Sequence, residues 1–150
     1  MKKKFFIVLL LVSLFMINTF AFAASVNYTA VSIPSYNSGG GAVSVAIANR
    51  GTGNPSSASN NCTWNQNGTQ CYSAVRNTNA IKGVDGSDIL ANTLITTGAY
   101  FTTGTKTMSY LANAKITTAY STRLRVQASS SDPNPNIGTA ISGTYNAGGN

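Results

Sequence analysis

Short segments in which apolar and polar residues alternate recur along most of this chain. Val26, Tyr28 and Ala30, for example, alternate with Asn27 and Thr29. Comparable runs lie at residues 43–47, 108–110, 116–120, 123–126 and 137–145. A period of two places one face of a strand on a core and the other in water, whereas no segment shows the 3.6-residue period of a helix longer than a turn or two. The pattern predicts roughly seven to nine short β-strands.

Glycine and proline are concentrated between these runs, at residues 38–41, 51–61 and 129–136. Such punctuation is typical of turns, and strands with this spacing predict an all-β fold. We expect a single antiparallel β-sandwich, with a small β-barrel as the alternative. We interpret residues 51–61 as a long loop within one domain, because the roughly 25 residues before it are too few for a separate core.

The first 24 residues have the pattern of a secretory signal peptide. Lys2, Lys3 and Lys4 precede an apolar stretch of about a dozen residues, and Ala21 and Ala23 form an A-x-A cleavage site. The stretch is shorter than the roughly 18 to 20 residues that span a bilayer. The sequence therefore predicts a cleaved leader at residues 1–24, a Ser/Thr/Asn/Gly-rich β domain at 25–150, and secretion to the extracellular medium. The lysine-rich leader is bacterial in style.

Missing side chains exclude several classes of activity. The chain has no His and no Glu, and its carboxylate side chains are Asp85, Asp88 and Asp132. Ser-His-Asp triads, Cys-His pairs and His general bases are therefore excluded. Asp85 and Asp88 share one Asp-Gly-Ser-Asp segment, which suits a turn better than a glycosidase cleft or a complete calcium loop. We predict a protein that is not an enzyme and holds no metal or cofactor.

The basic charge is modest. The formal net charge is +7, and Lys2, Lys3 and Lys4 of the predicted leader supply three of the positive charges. The remaining cations are spread over most of the chain, whereas phosphate backbones are bound by several cations on one face. The sequence does not predict nucleic-acid binding.

Cys62 and Cys71 are the only cysteines. An even number in an exported chain predicts a disulfide. Between them lies an Asn-Gly pair, Asn67-Gly68, of the kind that tight turns favour. We therefore expect a hairpin with its turn at residues 65–68, closed by a Cys62–Cys71 disulfide.

Arginines supply one candidate binding surface. Arg123 and Arg125 project from the same face of a predicted strand, and Lys115 on the strand predicted before it could join them. Such a group could recognise an anionic glycan, a teichoic acid or a lipid headgroup. The alternative is a solvated strand face that discourages edge pairing.

Aromatic residues supply a second candidate. Trp64 and Tyr36 fall in predicted turns or loops, outside the strand positions that the other tyrosines occupy. Rings with a polar tip suit sugar faces, and neighbouring amides can bind hydroxyl groups. The tyrosines within strands are better explained as the margin of a small core.

These features favour a secreted, non-enzymatic β-sandwich that binds a cell surface or an extracellular polymer, such as a glycan or cell-wall component. One alternative is a membrane-active, bacteriocin-like toxin; yet Gly98, Gly104 and Lys106 interrupt the amphipathic run at 93–120, so stable membrane insertion is not predicted. The other is a structural subunit of a pilus or matrix that assembles by strand pairing, and the sequence leaves the oligomeric state open.

Overall fold

The computed structural model describes residues 24–148, so the predicted signal peptide lies outside the described residues except for Ala24. This part of the chain contains ten strands and two single-turn 3₁₀ helices, Tyr36–Ser38 and Ala112–Ala114, and no α-helix. The strands are β1 (Ser25–Ile33), β2 (Val43–Arg50), β3 (Ser57–Asn65), β4 (Cys71–Asn77), β5 (Ile81–Lys82), β6 (Asp88–Ile89), β7 (Ala99–Phe101), β8 (Gly104–Ser109), β9 (Tyr120–Ala128) and β10 (Thr139–Asn146). Neither short helix has the length that crossing a membrane requires.

Eight of the strands form two antiparallel sheets packed in two layers. The first sheet has the order β1-β10-β3-β8, and the second has the order β2-β9-β4-β7. Strands β5 and β6 form a separate two-stranded ribbon. The prediction of an antiparallel, nearly all-β fold is therefore confirmed.

Alternation along the strands produces the core between the layers. Along β9, residues at every second position are buried, and Leu124 and Val126 are completely shielded from solvent. Strand β10 contributes Ile141 and Tyr145 in the same way from the first sheet. The inward side chains of both sheets belong to one apolar cluster, which follows from the period of two in the sequence.

Tyrosines fill much of this core, and each buried hydroxyl has a partner. The Tyr28 hydroxyl donates to Asn60 Oδ1 at 2.6 Å, and the Tyr110 hydroxyl donates to the Ala147 carbonyl at 2.6 Å. Tyr120 donates to the Ala114 carbonyl. Because a buried hydroxyl without a partner costs free energy, these bonds allow a core poor in leucine to include polar rings.

Strand β3 begins inside the segment that the sequence assigned to a loop. Residues 51–56 connect β2 to β3, but Ser57 already pairs with Ser109 of β8. Ala58 and Asn60 point into the core, and Asn60 is held by Tyr28. The loop interpretation of residues 57–61 was wrong because an inward Asn whose Oδ1 accepts a hydrogen bond from a distant hydroxyl looks like a turn residue in the sequence.

The predicted disulfide hairpin is also wrong: Cys62 and Cys71 are free, buried thiols. Cys62 lies on β3 in the first sheet and Cys71 lies on β4 in the second, so the two strands do not pair. The intervening Asn-Gly turn carries the chain from one layer to the other, and the Gln66 amide donates to the Ala140 carbonyl. The Cys62 thiol contacts the Trp64 carbonyl at 3.3 Å.

Both thiols should resist alkylation in the folded protein. Burial raises the pKa of Cys62, and it raises the pKa of Cys71 to about 12, so the reactive thiolate is scarce and shielded. We expect a thiol reagent at pH 8 to label the native protein at least about a thousandfold more slowly than the protein in guanidinium, because labelling requires unfolding. Rapid native labelling, or fewer than two reactive thiols after denaturation without reductant, would contradict this arrangement.

Candidate functional site

The outer side of the second sheet gathers three arginines. Arg123 and Arg125 occupy outward positions of β9, and Arg76 occupies an outward position of β4. In the register between these strands, Arg76 lies directly opposite Arg123, and Ala74 lies opposite Arg125. Ile47 of β2, which is half exposed, flanks Arg123 on the other side.

Two of these arginines are held by backbone carbonyls, and none of the three forms an ion pair within residues 24–148. Arg76 Nη1 donates to the Asn92 carbonyl at 2.5 Å, and Arg125 Nη2 donates to the Ala42 carbonyl. The Nε atoms of Arg123 and Arg125 are shielded from solvent without an acceptor in the described structure. Like charges directly opposite on neighbouring strands are destabilising, so Arg76 and Arg123 carry a cost that no carboxylate offsets.

The carboxylates are engaged elsewhere. Among residues 24–148 the one ion pair joins Lys82 Nζ to Asp88 Oδ1 at 2.7 Å, on the β5–β6 ribbon. Asp85 Oδ1 accepts hydrogen bonds from the Ser87 hydroxyl and amide, which lower the pKa of Asp85. Asp132 accepts from the amides of Gln70 and Asn134. In the same range no group of three or more metal-ligating side chains is found.

Two tyrosines extend the cationic surface. Tyr72 of β4 lies opposite Tyr100 of β7, with ring centroids 5.0 Å apart and planes inclined by 58°. The Tyr100 side of this pair is open, since Tyr100 is 55 % exposed. Gly98 makes room for Tyr72, because a Cβ at residue 98 would lie 1.7 Å from the Tyr72 hydroxyl.

Two shallow depressions lie side by side against the tyrosines and the arginines. One depression of about 280 Å³ lies against Tyr72 and Tyr100, and a smaller one of about 110 Å³ lies against Arg76 and Arg125. Tyr72 and Gln127 line both depressions, which are therefore adjacent. We call this surface the arginine–tyrosine face; its members are Tyr72, Arg76, Tyr100, Arg123 and Arg125.

The residues that the sequence nominated are dispersed. Arg123 and Arg125 lie together on the arginine–tyrosine face, but Lys115 follows the second 3₁₀ helix in a loop and not on a strand. Trp64 lies on β3 of the first sheet, and Tyr36 opens the first 3₁₀ helix. The sequence did not nominate Arg76, Tyr72 and Tyr100 as candidates, although the alternation of Tyr72, Ala74 and Arg76 indicated a shared strand face.

Comparison of the chain with protein-family models, curated proteins and solved structures finds no match.

Proposed function

We propose that this protein is a secreted, non-enzymatic β-sandwich that binds an anionic polysaccharide of a cell surface or extracellular matrix through the arginine–tyrosine face. The observation that carries the proposal is the direct opposition of Arg76 and Arg123 without an acidic partner. A bound anion would relieve this repulsion, so the uncompensated charge is explained by a negatively charged ligand.

The chemistry of the face matches both parts of such a ligand. Guanidinium groups bind carboxylate or phosphate through two parallel hydrogen bonds, and they do so at a surface where Arg125 and Arg76 are already oriented by carbonyls. The exposed ring of Tyr100 offers an apolar plane to a sugar ring. Adjacent open depressions accommodate a chain that continues beyond the contact, which an enclosed pocket would not.

Charge-neutralising variants test this proposal. The triple substitution Arg76→Gln, Arg123→Gln and Arg125→Gln should weaken binding to polygalacturonate or alginate about a hundredfold, since three charge-assisted contacts are lost. The affinity of the wild type should fall as salt rises, because the contacts are exposed. Titration calorimetry against these two polymers, with neutral dextran as the blank, measures both effects.

The matched control removes the same number of positive charges elsewhere. Lys82→Gln, Lys106→Gln and Lys115→Gln together lower the net charge equally but leave the face intact. This variant should bind within about twofold of the wild type. Equal losses in the two triple variants would indicate nonspecific attraction, and no binding of either polymer by the wild type would remove the proposal.

A further inference from the structure

The outer side of the first sheet has a different chemistry: its central rows contain only hydroxyl and amide side chains. One row crosses all four strands through Asn27, Thr144, Asn61 and Thr105. The next row crosses them through Ser25, Asn146, Ser59 and Thr107. On the two central strands, β3 and β10, these positions alternate with buried ones, and none of the eight residues carries a charge.

An exposed indole ends this array. Trp64 lies opposite Ser142 of β10 and is 45 % exposed, so its ring stands on the same outer side as the two rows. Trp64 and Ser59 are five positions apart on β3, which corresponds to about 17 Å. At the Ser59 end, a groove of about 450 Å³ is lined by Ser57, Ser59 and Asn146, among others.

Irregular backbone is concentrated beside Trp64. The pairing of β10 is irregular at the same place on both of its sides. On β1 the register shifts between Tyr28 and Val31, and on β3 it shifts between the residues that pair with Ser142 and Gly143. Ala30 has a positive φ of 48°, a conformation that side chains other than glycine rarely adopt, and its amide donates to Ser142 Oγ at 2.9 Å. Such bulges re-aim side chains, and here the bulge in β3 turns Trp64 outward.

Gly143 is required for this arrangement. A Cβ at residue 143 would lie 2.2 Å from the Asn61 carbonyl oxygen and 2.6 Å from the Tyr28 hydroxyl. The close approach of β3 to β10 beside the bulge therefore depends on the absence of a side chain there.

From this combination we infer that the outer face of the first sheet is a second binding surface, for an uncharged polysaccharide, with Trp64 as the platform for a sugar ring. Rows of neutral donors and acceptors match a chain of hydroxyl groups and offer nothing to an ionic ligand. The indole supplies the apolar plane that the ring needs. Because the two binding faces are the outer sides of opposite layers, one molecule can hold an anionic and a neutral polymer at once.

Co-sedimentation with cellulose, fully acetylated chitin and insoluble β-1,3-glucan in 1 M NaCl tests this inference. The salt screens the arginine–tyrosine face, since the Debye length is then about 3 Å. We expect retention on at least one of these polymers. Trp64→Ala should reduce the affinity about tenfold, and Trp64→Tyr should retain most of it. Ser59→Glu, at the far end of the surface, should also reduce the affinity about tenfold.

The control is Tyr100→Ala, which removes an aromatic ring of similar exposure from the other layer. It should leave the neutral-polymer affinity unchanged while weakening polygalacturonate binding, so the two proposals fail separately. Unchanged thermal unfolding of each variant establishes that the fold is retained. Absence of retention on all three polymers, or Trp64→Ala binding as tightly as the wild type, would overturn the inference.

Discussion

Raising the pH above 10 should unfold this protein in a steep transition that is complete by about pH 12. The cause is a set of buried acids that stay neutral in the fold. Burial raises the pKa of four core tyrosines and both cysteines, to about 12 for Tyr120 and Cys71. The other members of the set are Tyr28, Tyr110, Tyr145 and Cys62.

The direction of these pKa shifts explains why the fold loses stability at high pH. In the unfolded chain the thiols ionise near pH 8.5 and the phenols near pH 10, whereas the folded protein keeps them protonated to higher pH. Their contribution to stability is therefore complete below pH 8.5 and is lost as the pH rises through the folded pKa values. Each group removes about 1.4 kcal/mol per pH unit within this window, so at pH 11 the four tyrosines alone remove about 5 kcal/mol. That equals the whole stability of many domains.

Urea denaturation followed by far-UV circular dichroism at intervals from pH 7 to 11.5 measures the effect. Tyr110→Phe removes one of the shifted groups, together with its bond to the Ala147 carbonyl. We expect this variant to be about 1 kcal/mol less stable at pH 7 and to lose stability less steeply above pH 10. A free energy of unfolding that stays constant between pH 8 and 11 would show that the rings are not held as the structure places them.

The strands were largely predictable where one face is apolar. Along β9, Leu124 and Val126 alternate with Arg123 and Arg125, and the structure buries the first pair and leaves the second half-buried on the outer side of the sheet. This correspondence is local, because the pleat alone decides which side of a strand a residue faces. The same reasoning identified β10 and the position of β2. On β2, however, the register shifts between Ser44 and Ala46, so the expected core residue Ile47 faces outward and Ala46 is buried instead.

Pairing between strands was not predictable in this way. The Asn-Gly turn after β3 reads as a hairpin, but β3 pairs with β10 and β8, and β4 pairs with β9 and β7. Those partners are distant in the sequence, and the choice depends on how both layers close over the core. The disulfide prediction failed for this reason and not because of the cysteine count.

The candidate site was also predictable within one strand but not between strands. That Arg123 and Arg125 share a face follows from their spacing, whereas the position of Arg76 opposite Arg123 depends on the β4–β9 register. Lys115 was expected on a strand, but the alternation of residues 116–120 is loop backbone that reaches β9 only at Tyr120. Residues that strand pairing brings together can be recognised only in the three-dimensional structure.

Arg50 lies among two loop carbonyls and two core rings. Its side chain is completely buried at the end of β2 without an acidic partner. The guanidinium lies 4.9 Å from the ring centre of Tyr110 and 5.1 Å from that of Tyr120. Nη1 donates to the Ile116 carbonyl at 2.7 Å, and Nη2 donates to the Pro55 carbonyl at 3.3 Å. One side chain thus ties two loops to two core rings.

Removing this side chain should cost more than any other single arginine substitution in the described chain. Burial lowers the pKa of Arg50, yet its value near 12.5 in water leaves the group charged at neutral pH, and the two rings supply the compensating interaction. We expect Arg50→Ala to reduce the free energy of unfolding by about 3 to 5 kcal/mol, because it leaves a cavity and two carbonyls without donors. Arg50→Lys keeps the charge but loses the planar fork, and should cost about 2 kcal/mol.

Urea denaturation at pH 7 compares these variants with Arg123→Ala, which removes an arginine from the outer side of the same layer. That control should change the free energy by less than about 0.5 kcal/mol, since its charge opposes Arg76 and pairs with no acid. Arg50→Met separates volume from hydrogen bonding: it fills most of the space but cannot donate to Ile116 or Pro55. If Arg50→Met were as stable as the wild type, packing alone would fix the two loops. A loss of less than about 1 kcal/mol in the free energy of unfolding of Arg50→Ala would contradict the central position assigned to Arg50.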